Sequence, residues 1–98
     1  MAKSISYHIS FIESLKNPSE AAVYLEVVLE EGNPTMIKKA FLNVIEARGG
    51  VQLLSNNVQE TWREFVEKIQ ETGEIEFSLL RILLEFLGLE IGLMVIGS

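Results

Sequence analysis

Few residues in this chain of 98 could carry out chemistry, and their spacing gives them little to work with. His8 is the only histidine, with Tyr7 beside it, and cysteine is absent. A lone histidine in such a setting serves structure more readily than proton transfer. Glutamates recur at Glu60, Glu64, Glu67 and Glu71, a helical spacing that places them on solvated faces. Paired carboxylates need an apolar pocket to raise a pKa for acid–base work, and no such setting surrounds them. Glu64 and Lys68 form an i,i+4 pair that supports an exposed helix. No nucleophile stands beside a base, and no glycine-rich loop follows a strand to cradle phosphate. The residues therefore argue against an enzyme, a metal site or a cofactor.

Charge is more informative by location than in total. The net charge is −6. Residues 1–50 hold five cations against six acids, a balance of −1, and residues 51–98 hold three against eight, a balance of −5. A face that neutralises phosphates is normally basic. At this length one domain, 1–98, is expected, with a modest core that oligomerisation would help. The absence of cysteine suits a reducing cytoplasm, and Met1-Ala2-Lys3-Ser4 opens no signal peptide. The apolar run from Phe77 to Ile96 is interrupted by Arg81, Glu85 and Glu90 and by Gly88 and Gly92. It reads as buried core, so no membrane span is expected.

The elements that must position any site follow from caps and periodicity. Asn17-Pro18-Ser19-Glu20 combines an N-cap, a proline at the first helical position and a glutamate able to reach back, so a helix is expected over 18–31. Gly32 ends it, and Asn33-Pro34 starts another over 34–47, where Arg48 sits near the helix C-terminus before Gly49-Gly50. Residues 4–8 alternate apolar and polar and suggest a strand, with a helix over 9–15. A short helix is expected over 51–58, with Val51 and Leu54 inward and Asn56-Asn57 supplying a turn. Thr61-Trp62-Arg63-Glu64 has the form of a capping box opening a helix over 61–71, with Phe65 and Ile69 buried. Ser78 to Leu87 gives a last helix, nearly apolar all round, and Leu89 to Ile96 a terminal strand. Such a strand needs a partner: the N-terminal arm, its own copy in a dimer, or another protein.

From Phe11 to Gly50, the runs Leu15-Lys16-Asn17-Pro18, Ala21-Ala22, Tyr24-Leu25, Leu29-Glu30-Glu31-Gly32-Asn33-Pro34 and Ala47-Arg48-Gly49-Gly50 resemble the addiction-module antidote (antitoxin) family. These are small DNA-binding proteins of the lambda-repressor-like class. The resemblance implies an all-α, five-helix domain with a helix-turn-helix, here with short terminal strands that could join in a dimer sheet. Its first motif helix would fall on 51–58 and its recognition helix on 61–71. DNA contacts would then come from Thr61, Trp62, Arg63, Val66 and Glu67, with Gln52 at a phosphate. Lys38-Lys39 is a further candidate for phosphate contact. The implied function is a transcriptional regulator of antitoxin type, binding its operator as a homodimer and neutralising a small basic toxin. Gln59 stands where the family has a turn glycine, and Trp62 where it has a polar residue. The acidic second half adds a contrasting expectation: a degenerate scaffold that binds a basic protein and not DNA.

Overall fold

The computed structural model describes residues 2–93, with side chains from Tyr7 onward. Five α-helices follow in order: α1 (Ala2–Ser14), α2 (Pro18–Glu31), α3 (Pro34–Ala47), α4 (Asn56–Thr72) and α5 (Phe77–Phe86). A single 3-10 turn, Val51–Leu53, lies between α3 and α4. The described residues contain no strand.

The first three helices start and stop on local chemistry. The Asn17 side chain accepts from the backbone N–H groups of Ser19 and Glu20, at 2.9 and 3.3 Å. The Asn17 N–H itself donates to the Ser14 carbonyl, so it is already spent as a target for Glu20. Asn33 caps α3 through the N–H of Met36. Gly32 takes the left-handed conformation at φ 75° and returns its N–H to Val28, ending α2 two residues before α3 begins.

α3 is the central element, touching α1, α2, α4 and the 3-10 turn. It buries Ile37, Ala40, Phe41, Val44, Ile45 and Ala47. Leu15, Ala21 and Leu25 cover it from one side, Phe65 and Ile69 of α4 from the other. Phe41 and Phe65 meet edge to face at 5.5 Å, which joins the two halves. α4 packs on α5, whose Leu79, Leu80, Leu83 and Leu84 complete the core.

Both terminal strands give way. Residues 4–8 lie within α1. A helix satisfies its own backbone groups, whereas an arm strand needs a ladder partner, and none exists among the described residues. Residues 89–93 follow α5 without regular structure, and 94–96 lie outside the described residues.

The segment expected to hold the motif is reorganised. In place of a helix over 51–58 stands the 3-10 turn, followed by Leu54 and Ser55 in extended conformation. Ser55 caps α4, accepting from the Val58 N–H at 3.4 Å, and the helix then runs unbroken to Thr72. The expected turn at 59–60 is therefore helix, and Asn56-Asn57 are its opening residues. Two side-chain bonds accompany this arrangement. Thr61 Oγ1 donates to the Asn57 carbonyl at 3.0 Å, the back-bond of a mid-helix threonine. Gln59 Nε2 donates to the Leu54 carbonyl at 2.9 Å, satisfying an acceptor just before the helix. Gly73, at φ 70°, ends α4.

Candidate functional site

The outward side of α4 is the surface on which the expected site residues fall. Trp62, Arg63, Val66 and Glu67 are brought together: with Val51 and Gln59 they line one shallow depression beside the 3-10 turn. Val66 and Trp62 are half-buried and form its apolar part, while Arg63 and Glu67, one turn apart, are exposed. Trp62 stacks on Phe65 at 5.8 Å and packs against the core, so its ring is anchored to its own helix. The other two expected residues stand apart. Thr61 turns its hydroxyl back to Asn57 and does not line the depression. Gln52 is exposed on the 3-10 turn, where its carbonyl lies 3.5 Å from Gln59 Nε2.

The electrostatics of this face are acidic. Glu60, Glu64, Glu67 and Glu71 are all exposed. Of the two cations on α4, Lys68 lies 3.8 Å from Glu76, so its partner is beyond the helix end and not Glu64. Arg63 forms no ion pair among the described residues. Of these four glutamates only Glu67 lines the depression, where Arg63 accompanies it; Glu60, Glu64 and Glu71 follow the exposed side of the helix, about half a turn from Trp62. That exposed side carries the excess of negative charge and suits a cationic protein more than a polyanion.

A helix-turn-helix joins its two helices by a turn of about three or four residues. Here α3 and α4 are separated by Arg48 to Ser55, and the only regular structure between them is the 3-10 turn. The connection is fixed from both ends. Gly49 and Gly50 adopt φ 109° and 96°, and a Cβ on Gly49 would collide with the Leu53 side chain. Arg48 Nη2 reaches the Leu87 carbonyl at 2.9 Å, placing a cation at the C-terminus of α5.

Asn56 and Asn57, expected in a turn, are instead the exposed first residues of α4. The signal that would have found them is the apolar series Val58, Trp62, Phe65, Ile69. It keeps helical spacing straight through the presumed turn. Lys39 is exposed and Lys38 half-buried on α3. Among the described residues no three acidic or histidine side chains converge as for a metal ion. His8 Nε2 lies 3.7 Å from Glu46 Oε1, with both side chains about half exposed. No described helix is long and apolar enough to cross a membrane. No protein-family model, curated protein or solved structure matches the chain.

Proposed function

We propose that this chain is an antitoxin-type protein that neutralises a small basic toxin by binding it on the outward face of α4. The observation that carries the reading is the exposed acidic side of α4, Glu60, Glu64, Glu67 and Glu71, with Glu67 at the edge of the apolar depression formed by Trp62 and Val66. An aromatic anchor flanked by charge is the usual make-up of an energetic centre in a protein interface. The five-helix order and the burial of Leu54, Phe65, Ile69, Leu80 and Leu87 support a lambda-repressor-like scaffold. The test is co-expression with the product of the adjacent reading frame. Co-purification and restored growth are expected, both lost on Glu64→Lys with Glu67→Lys. Retention of both by that double variant sinks the reading.

Operator binding is the second reading, favoured by the exposed Asn56 and Asn57 at the open N-terminus of α4 and by the free Arg63 among the described residues. A helix can present its first residues to base edges in the major groove. If DNA is bound, affinity falls steeply with salt and Arg63→Ala relaxes sequence preference. An unaltered mobility of the native upstream DNA at low salt removes this reading and leaves the first intact.

A homodimer belongs to the same proposal. Phe77, Ile82 and Phe86 are exposed on α5, as is Leu93 beyond it. Arg81 and Glu85, one turn apart, give each copy one cation and one anion for antiparallel pairing. Deleting residues 90–98 is expected to shift sedimentation from dimer to monomer or aggregate; an unchanged dimer places the interface elsewhere.

A further inference from the structure

The helix α2 carries two features that its own stability does not call for. Val23 and Val27, one turn apart, point away from the core and are 64 and 50% exposed. Its last turn ends in Glu30-Glu31, with no cation, where the helix dipole favours the opposite charge. Glu20, Glu26, Glu30 and Glu31 are all exposed, and α2 contains neither lysine nor arginine. None of the four is in an ion pair among the described residues. An apolar pair thus sits in a ring of four uncompensated carboxylates.

Beside this pair runs a groove between α2 and the segment after α5. Ala22, Leu25 and Leu29 line one wall and Ile91 another, and the exposed Glu26 and Glu90 belong to the same groove. Apolar contact and negative charge therefore alternate across one continuous surface, from Val23 to the groove. We infer that this face of α2 is a docking surface for a cationic amphipathic helix of a partner protein. Leucine- or phenylalanine-like side chains would cover Val23 and Val27 and enter the groove, and flanking lysines or arginines would meet the glutamates. Both local costs, the solvent-facing valines and the acidic C-terminus, then acquire a cause. A second copy of this chain is the wrong occupant, since two-fold pairing would set the same glutamates against each other. The surface is separate from α4 and the inference stands independently of the toxin reading.

The test is an NMR titration of the full chain with a synthetic helical peptide bearing a leucine face and a lysine face. A glutamate-for-lysine version serves as control. Shifts are expected to cluster in residues 19–31 and 89–92, and to be absent with the control. Glu26→Lys with Glu30→Lys should weaken binding by about tenfold or more, as charge reversal at an interface does. Val27→Ser, which leaves every charge in place, should also weaken it. Glu64→Lys with Glu67→Lys should leave it nearly unchanged. If only this α4 variant weakens binding, the inference is overturned and the proposed function survives. Insensitivity to Val27→Ser, or shifts spread over all acidic surfaces, reduces the contact to unspecific charge and overturns it equally. So does a dimer of the free protein dissociated by Val27→Glu, or perturbation of 22–29 on removing residues 94–98. The first gives the face to a second copy, the second to the chain's own end.

Discussion

The junction between α2 and α3 and the junction between α3 and α4 solve the same problem by different means. The first takes two residues, Gly32 and Asn33: a left-handed glycine ends one helix and an asparagine followed by Pro34 starts the next. Every bond in it is local. The second takes eight residues, Arg48 to Ser55, and depends on groups distant in sequence as well as on local bonds. Arg48 reaches Leu87, Gln59 reaches back to Leu54, and Phe41 packs on Phe65. A local junction survives any change elsewhere that leaves the fold intact. A tertiary junction depends on the core beneath it, and it is this junction that sets the pose of the candidate site.

The sharpest way to break the contrast is Phe65→Ala. Phe65 is fully buried between Phe41 and Trp62, and its removal leaves a cavity at the seam of the two halves. A loss of about 3–5 kcal/mol is expected in denaturant unfolding. Trp62, the only tryptophan, stacks on Phe65, so its emission should move to the red even before global unfolding. A loss below about 1 kcal/mol would mean that the second junction does not rest on this contact.

Next in size is Arg48→Ala. Its guanidinium makes a hydrogen bond to the Leu87 carbonyl across 39 residues, in a half-open setting. A cost of about 1–2 kcal/mol is expected. Hydrogen exchange should quicken at the α5 C-terminus while the α2–α3 amides keep their protection. Uniform loss of protection would show the two junctions to be one cooperative unit.

The caps allow a direct comparison. Asn17 accepts two backbone donors, one at 2.9 Å, and Ser55 accepts one at 3.4 Å. Replacing Asn17 by Ala should cost about 1 kcal/mol and replacing Ser55 by Ala distinctly less. Equal costs would imply that Ser55 bonds more tightly than its geometry indicates.

The same contrast explains what could be read from the sequence. The spans 18–31 and 34–47 are found where the caps place them, because a proline is tolerated in the first turn but not inside a helix and so admits no earlier start, and glycine marks the stop of the first. Phe65, Ile69 and Leu80 are buried as their spacing requires. At α4 the pattern from Thr61 to Glu64 points to a cap that the structure places at Ser55, and no proline fixes either position. The choice falls to the burial of Val58 and Trp62, which is a tertiary fact, with the local bond from Gln59 to Leu54 in support. At the N-terminus, alternation over 4–8 has the period of a strand, yet those residues are helix in α1; the deciding matter is whether an edge exists to pair with, which the pattern does not encode. Of the candidate site, Trp62, Arg63, Val66 and Glu67 come from the resemblance, and their spacing on one helix is enough to bring them to one depression. The separation of Gln52 and Thr61 did not, since it depends on where the helix begins.

Thr61 gives the finest discrimination between the two ways of making a junction. If it capped a helix, as the pattern Thr61-x-x-Glu64 suggests, its loss would cost about 1 kcal/mol. In the structure it lies within α4 and bonds back to Asn57 at 3.0 Å, where a β-branched hydroxyl residue is a poor helix former. Thr61→Ala should therefore leave stability unchanged or raise it by a few tenths of a kcal/mol, the propensity gain offsetting the lost bond. Helical content by circular dichroism should hold or rise. Thr61→Pro sharpens the result: a proline is tolerated at a helix start but would break the unbroken ladder here, at a cost of about 3 kcal/mol or more. Mild destabilisation by alanine together with tolerance of proline would restore a break near residue 60, and with it a separate recognition helix. The opposite pair of outcomes fixes α4 as one rod whose N-terminus is set by Ser55, five residues before the first glutamate of the acidic face.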